Sequence, residues 1–66
     1  MKMKTVLADD THMKAMVKAM RAVRCFMIER TRETVIARHA QAGEVFRSIR
    51  GPGGMWITRH ADNLFN

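Results

Sequence analysis

Residues 13–30, with the sequence MKAMVKAMRAVRCFMIER, carry more contiguous apolar surface than any other segment of the chain. Apolar side chains recur there at spacings of three and four, the period of one face of an α-helix. This stripe consists of Met13, Met16, Val17, Met20, Val23, Met27 and Ile28. Lys14, Lys18 and Arg21 fall on the opposite side. We therefore predict an amphipathic helix of about five turns, against which the rest of the chain folds.

The length of 66 residues allows one small domain, which we assign to residues 1–66. A chain of this size buries only about 60 % of its unfolded surface, so its core is marginal and a partner or a dimer would help it. The single cysteine, Cys25, excludes an intramolecular disulfide. His12, Cys25, His39 and His60 occur singly, without the paired spacings of zinc modules. We predict no metal and no cofactor.

The charge of the chain is strongly positive, with 12 Lys and Arg against 6 Asp and Glu and a net charge of +6. This balance favours nucleic acid, an anionic membrane surface or an acidic protein patch as a partner. No apolar run approaches the 18 or so residues that cross a bilayer. The apolar part of the N-terminus, Thr5–Ala8, is too short for a signal peptide. We predict a cytoplasmic protein with no membrane partner.

The segments before the helix suggest a strand and a cap. Residues 1–8 alternate weakly, with Lys2 and Lys4 between apolar neighbours, which is typical of a short edge strand. A frayed terminus is the alternative. Asp9, Asp10 and Thr11 supply oxygens that can accept hydrogen bonds from the free amides at a helix N-terminus.

A second helix is predicted after a break near Arg30–Arg32. Thr31 can cap it, and Gly43 can end it in the left-handed conformation. One face would carry Val35, Ile36, His39, Ala40 and Ala42, and the other would carry Thr34, Arg38 and Gln41. No Pro or Gly enforces the break, so a single bent helix over residues 11–42 is the alternative.

The period then changes from helical to alternating, which predicts a β-hairpin. Residues 44–50 form its first strand, residues 51–54 (GPGG) its turn, and residues 55–58 its return strand. A four-residue loop would place Ile49 opposite Trp56 and Arg47 opposite Thr58, although the sequence does not fix this register. Thr58 would cap a short last helix that directs Ala61, Leu64 and Phe65 to the core. The predicted fold class is α+β, with two helices, a wing-like hairpin and a C-terminal helix.

Catalytic chemistry has little support in this sequence. Ser48 lies in a predicted strand without a nucleophile turn, and Cys25 lies within the predicted first helix beside apolar residues, where a thiol is inert. Asp9 and Asp10 are better explained as helix caps than as an acid and base pair. We predict that the protein is not an enzyme and has no small-molecule substrate.

Side chains suited to binding double-stranded DNA are better represented in this sequence than catalytic ones. Thr34, Arg38 and Gln41 share one face of the predicted second helix, where arginine could pair with guanine and glutamine with adenine. The hairpin places further arginines where they suit phosphate contacts. The predicted nucleic-acid-binding residues are Thr34, Arg38, Gln41, Arg47, Arg50, Arg59, Lys14 and Lys18.

A host protein is the alternative partner. Methionine is common at adaptable binding surfaces, and the stripe of the first helix is rich in it. We assign to such an interface Met16, Met20 and Arg24. The first helix could dock in a groove of the partner, or the hairpin edge could add a strand to the partner's sheet. The same helix could also support a homodimer.

The segment from Thr34 to Phe65 resembles the second half of a winged helix domain. Its parts would be a recognition helix over 35–42 ending at Gly43, a strand over 45–50, a wing over 51–54, and a return strand that leads to a Thr-initiated helix. The resemblance implies that Thr34, Arg38 and Gln41 occupy recognition-helix positions and that Arg47 and Arg50 occupy the wing. The sequence departs from that family in having room for two helices before the wing instead of three.

The stretch Gly53–Thr58 is also similar in style to the tail of small phage inhibitors of host RNA polymerase. The first functional prediction is a small basic DNA-binding or transcription-regulatory protein of winged-helix type, which grips the DNA backbone with its second helix and its hairpin. The alternative is a phage- or plasmid-style inhibitor that blocks a host protein such as RNA polymerase or a defence enzyme.

Overall fold

A computed structural model describes residues 2–23 and 26–65, and within them a single helix lies against one face of a five-stranded antiparallel sheet. The elements in chain order are β1 (Met3–Ala8), α1 (Asp10–Arg21), β2 (Phe26–Arg30), β3 (Thr34–His39), β4 (Gly43–Arg50), a short 3-10 turn (Pro52–Gly54) and β5 (Trp56–Ala61). The strand order is β1-β5-β4-β3-β2. Strands β2 to β5 therefore form consecutive hairpins, and β1 pairs with β5 at the opposite edge from β2.

The start of α1 depends on local hydrogen bonds made by Asp9. Its Oδ1 accepts from the backbone amide of His12 at 2.8 Å, which confirms the predicted capping role of Asp9. The same backbone hydrogen bond is the main reason that the pKa of Asp9 lies below its ordinary value. Asp10 follows in the first turn, where a carboxylate is favoured by the helix dipole.

The core lies between α1 and the sheet. Met13, Val17 and Met20 are buried on the inner side of the helix, as the apolar stripe predicts, and Met16 is half-buried beside them. The sheet meets them with large and small apolar side chains that are at most 3 % exposed: Ala8, Val35, Ala37, Phe46 and Trp56. Partly buried Phe26, Ile28 and Leu64 pack around this cluster.

The predicted C-terminal end of the first helix is wrong, because α1 ends at Arg21 and not at Arg30. Residues 26–30 form β2 instead, in which Phe26 and Ile28 face the core while Met27 is 72 % exposed. The apolar residues of this segment fit an alternating pattern as well as a helical one. An edge position beside β3 buries two of them without extending the helix beyond the sheet.

The predicted second helix is also wrong, and so is the alternative of one bent helix, because residues 34–39 form β3. Three consecutive β-branched residues, Thr34 to Ile36, favour a strand, and the alternation buries Val35 and Ala37. Thr31 does accept hydrogen bonds from the amides of Glu33 and Thr34, but it does so in the β2–β3 turn. Gly43 has the left-handed conformation expected of it, with φ of 76°, but it begins β4.

The predicted hairpin exists over longer strands and in a different register. The loop spans residues 51–55 and is closed by a hydrogen bond from the Gly51 amide to the Met55 carbonyl oxygen at 2.7 Å. Arg50 consequently lies opposite Trp56, Ile49 opposite Ile57 and Arg47 opposite Arg59. The predicted pairs of Ile49 with Trp56 and of Arg47 with Thr58 are wrong by one residue.

The predicted terminal helix is absent from the described residues, since Thr58 lies within β5 and residues 62–65 form turns. Leu64 nevertheless packs on the core, and the Phe65 ring contacts the rings of Phe46 and His60 edge-on. The backbone amide of Asp62 donates to the carbonyl oxygen of Lys2 at 3.0 Å. The predicted fold of two helices, a hairpin and a C-terminal helix is therefore replaced by one helix on a five-stranded sheet.

Polar contacts join the β4–β5 hairpin to α1, and others join β4 to β5. The Trp56 Nε1–H donates to Asp10 Oδ1 at 2.8 Å, and the Arg50 guanidinium lies 5.3 Å from the centre of the Trp56 ring. Arg50 Nη2 also lies 3.4 Å from Asp10 Oδ2. Beneath the helix, the hydroxyls of Ser48 and Thr58 are fully buried and share a hydrogen bond of 2.8 Å.

Two methionines of the predicted stripe provide a matched test of this packing. Met20→Ala removes a side chain that is 1 % exposed, so the free energy of unfolding should fall by about 2–5 kcal/mol. Met27→Ala changes a surface side chain and should alter it by less than about 0.5 kcal/mol. Urea unfolding of both variants measures the difference. Equal effects would contradict the assignment of Met20 to the core and Met27 to the surface.

The buried hydroxyl pair gives a second test. Thr58→Val or Ser48→Ala alone leaves one buried hydroxyl without its partner and should destabilise the protein by about 1–3 kcal/mol. The double variant removes both hydroxyls and should be nearly as stable as the unmodified chain. A double-mutant cycle from denaturant unfolding measures the coupling, and additive effects would show that the two hydroxyls do not depend on each other.

Candidate functional site: the uncovered face of the sheet

The sheet has two faces, and α1 covers only one of them. On the other face, the central hairpin presents two directly opposed cross-strand pairs. We call Arg47 of β4 and Arg59 of β5 the arginine pair, and we call Ile49 and Ile57 the isoleucine pair. All four side chains are exposed. The pairs lie two residues apart along each strand, so they form a compact block of charge beside a block of apolar surface.

Neighbouring strands extend both pairs into rows across the sheet. The isoleucine pair continues to Leu7 of β1 on one side and to Thr34 of β3 on the other. Leu7, Ile57 and Ile49 are 68 %, 46 % and 49 % exposed, which makes this row the main apolar surface of the uncovered face. The arginine pair continues to Thr5 and to Ile36. An apolar row of this kind is not required by the core, which is complete on the other side.

Three arginines surround one carboxylate on this face. Glu44 accepts two hydrogen bonds from Arg47, from Nε at 3.1 Å and from Nη2 at 2.7 Å. These bonds are the main reason that the pKa of Glu44 is lowered, and the charges of Arg38 and Arg59 lower it further. Arg38 also donates to Glu29 at 2.6 Å. The face therefore holds a cluster of three guanidinium groups against two carboxylates.

Arg59 differs from the other two arginines, because it forms no ion pair with any residue in the described part of the chain. Its cross-strand neighbour is Arg47, and directly opposed like charges destabilise a sheet. A bound anion would relieve this repulsion. The arginine pair is therefore the place on this face where an anionic partner would gain most.

The structure brings together four of the predicted nucleic-acid-binding residues, although not through the predicted elements. Thr34, Arg38, Arg47 and Arg59 all lie on the uncovered face, on β3, β4 and β5. The Thr34 hydroxyl is hydrogen-bonded to that of Thr31 at 2.8 Å. Because residues 34–39 form a strand, the prediction that Thr34 and Arg38 occupy a recognition helix is wrong.

The other predicted residues lie elsewhere. Gln41 is in the β3–β4 turn, where its backbone amide donates to His39 Nδ1. Arg50 stacks over Trp56 and faces Asp10, on the helix side of the hairpin. Lys14 and Lys18 lie on the exposed side of α1, across the sheet from the arginine pair. The predicted set is thus divided between two sides of the molecule.

Two of the residues predicted for a protein partner, Met16 and Met20, do not form an exposed surface. Met20 is part of the core and Met16 is half-buried against it, so the inner side of α1 is occupied by the sheet. Arg24 lies outside the described residues. The exposed apolar surface is instead the row of Leu7, Ile57 and Ile49. Its signal in the sequence is that Ile49 and Ile57 alternate in phase with Arg47 and Arg59.

Other chemical features are limited in the part of the chain that the structure describes. No three His, Cys, Asp or Glu side chains there come together as a metal site would require. An open cavity of about 370 Å³ lies at the end of the sheet, lined mainly by Val23, Phe26, Val45 and Leu64, with His39 at its wall. Within residues 2–23 and 26–65, no helix has the length and apolar character needed to cross a membrane.

Comparison of the sequence with protein-family models and with curated proteins gave no match, and comparison of the fold with solved structures gave none either. A function can therefore be inferred only from the geometry and charge of the uncovered face.

Proposed function

We propose that this chain is a small basic DNA-binding protein of the cytoplasm, a binding module and not an enzyme, which contacts the duplex through the uncovered face of its sheet. The observation that carries the proposal is the arginine pair, in which Arg47 and Arg59 lie directly opposite each other on exposed positions of the central hairpin. Phosphate contacts by arginine give affinity and orientation on DNA. The net charge of +6 favours the same class of partner.

The ion pair between Arg47 and Glu44 does not prevent this role. Both side chains are partly exposed, and exposed ion pairs are typically worth only about 0–1 kcal/mol. A phosphate group can replace the carboxylate as a bidentate acceptor, with two of its oxygens, at little net cost. Within the described chain, Arg59 has no ion pair to give up, so it can contact a phosphate directly. Arg47 can do so once the phosphate has replaced the Glu44 carboxylate.

The exposed side of α1 is the rival basic surface, because it carries Lys14, Lys18 and Arg21. Basic residues opposite an apolar stripe are the ordinary solvent-exposed side of an amphipathic helix. The arginine pair places like charges opposite each other across β4 and β5, and Glu44 forms an ion pair with only one of them, Arg47. The sheet face is therefore the better candidate, and charge substitutions can separate the two surfaces.

The side chains of the uncovered face favour a duplex over a single strand. Single strands are held largely by stacking of bases on aromatic side chains. Among the described residues, none of the aromatic side chains lies on the uncovered face: Phe26, Phe46, Trp56 and Phe65 all pack on the helix side. The opposed arginines on β4 and β5, two interior strands of the sheet, can instead contact the backbone phosphates of a duplex.

Matched charge removals on the two sides of the molecule test the proposal. Arg47→Gln or Arg59→Gln should weaken binding to random-sequence duplex DNA. Each should also flatten the dependence of log affinity on log salt by about 0.9 for each phosphate that the protein no longer neutralises. Lys14→Gln and Lys18→Gln remove the same charge from the helix side and should leave that slope unchanged. Fluorescence anisotropy at several salt concentrations measures it.

Two results would contradict the proposal. If the unmodified chain does not bind duplex DNA at low salt, the uncovered face has no nucleic-acid role of this kind. If the lysine substitutions flatten the slope while the arginine substitutions do not, the contact surface is the exposed side of α1.

Glu44 provides a gain-of-affinity test of the same site. Glu44→Gln removes the carboxylate that holds Arg47 and should raise affinity for duplex DNA up to about fivefold at low salt, the value of an exposed ion pair. Glu33→Gln makes the same charge change in the β2–β3 turn and should raise affinity less. Equal gains would show that only net charge matters and would argue against a site at Arg47.

A protein partner is the second candidate, favoured by the exposed row of Leu7, Ile57 and Ile49 together with Met27. Apolar patches on a monomer often mark interaction sites. If this row docks on a host protein, Arg47→Gln and Arg59→Gln should change the affinity for that protein little, and the affinity should depend little on salt. The charge substitutions above therefore also separate this candidate from the first.

A further inference from the structure

We infer that the isoleucine pair reads the C5-methyl groups of thymine in the major groove, so that the uncovered face distinguishes DNA with methylated pyrimidines from DNA without them. The inference rests on the proposed function, because it assigns a ligand to the apolar half of the same site. It explains why exposed isoleucines stand beside the arginine pair.

The first argument is position. Ile49 and Ile57 are directly opposed and lie two residues from Arg47 and Arg59 on the same two strands. Two residues along a strand span about 6.6–6.8 Å, and successive base pairs are about 3.4 Å apart along the duplex. With the strands running along the groove, arginines that contact phosphates or guanine edges would place the isoleucines about two base pairs away.

The second argument is chemistry. The thymine methyl is the one apolar group that a base pair displays in the major groove, and apolar side chains contact it in recognition of A·T pairs. Ile49 and Ile57 are 49 % and 46 % exposed, so each retains apolar surface that a methyl group could cover. Cytosine and uracil lack this methyl, and no equivalent group lies in the minor groove.

The third argument is support from behind the pair. The Ile57 side chain rests against Gly51, where a Cβ would lie 3.2 Å from Ile57 Cδ1. Ser48 and Thr58, the residues next to the pair along the strands, are fixed beneath the helix by their buried hydrogen bond. The two isoleucines are therefore held on a rigid hairpin, which suits recognition of a group as small as a methyl.

The charge of the surroundings suits the same ligand. The neighbouring row carries Arg47 and Arg59, and Arg38 follows on β3. A protein partner would need its own acidic groups at that spacing, whereas a duplex supplies phosphates along both sides of the groove. An RNA duplex fits poorly, because its major groove is deep and narrow and its uracil lacks the methyl.

The test uses the full chain and pairs of duplexes that differ only in the methyl group. One pair contains alternating A·T or A·U base pairs in a DNA backbone. The other contains G·C base pairs with cytosine or with 5-methylcytosine. We expect tighter binding to the methylated member of each pair, by about fourfold for one methyl group buried and by about fifteenfold for two. Anisotropy titrations at fixed salt measure these ratios.

Variants assign the effect to the isoleucine pair. Ile49→Ser/Ile57→Ser removes the apolar side chains and leaves no methyl group on them, so it should abolish the preference for methylated DNA while the salt dependence remains. Val23→Ser is the control, because Val23 is 45 % exposed and lies near the end of α1. It should keep the preference. The comparison of duplexes with the unmodified chain stands even if the double variant does not fold, which circular dichroism reveals.

The outcomes separate this inference from the proposed function. Equal binding of methylated and unmethylated duplexes, with the salt dependence intact, overturns the inference and leaves the proposed function standing. A preference that survives in the folded double variant overturns the assignment to Ile49 and Ile57. Absence of binding to every duplex at low salt overturns both.

Discussion

The burial of Met13, Val17 and Met20 against one face of the sheet is the constraint on which the other features depend. A helix of 12 residues is about 18 Å long, and five strands span about 19 Å, so α1 covers one face and no more. Phe46 and Trp56 point to that face, where α1, Leu64 and Phe65 shield the core. Alternation then sends Arg47, Ile49, Ile57 and Arg59 to the opposite face. The apolar and charged surface that we assign to a partner is thus fixed by the same geometry that forms the core.

Local chemistry in the sequence proved more informative than its apolar period. The cap at Asp9, the hydrogen-bonding role of Thr31, the left-handed conformation of Gly43 and the turn in the GPGG stretch are all present. The element boundaries failed where one set of residues satisfies two periods. Val23, Met27 and Ile28 continue the helical stripe by spacing, yet Phe26 and Ile28 also alternate with Met27 and Glu29. The choice between helix and strand for residues 26–30 is decided by their pairing with β3, which no local pattern in the sequence shows.

In the candidate site, too, the chemistry of single residues was predictable from the sequence and the pairing of the strands was not. Arg38, Arg47 and Arg59 could be recognised as anion-binding residues from their type and from the charge of the chain. That these arginines lie together on one face could not be recognised from the sequence, because it arises from the hydrogen-bond register between β3, β4 and β5. A register one residue different, as the four-residue loop suggested, would have paired Arg47 with Thr58 and separated the arginines. Leu7 joins the site through the pairing of β1 with β5, which links residues about fifty positions apart in the chain.

The hydrogen bond between the Asp62 amide and the Lys2 carbonyl oxygen has a topological consequence. It holds the two ends of the described chain at one corner of the sheet, at the end of β5 away from the Gly51–Met55 loop. A short linker could join these ends, and the ring could be reopened in that loop to give a circular permutant with the same strand order. A fusion partner attached at either end would leave from this one corner and would lie closer to the arginine pair than to the isoleucine pair.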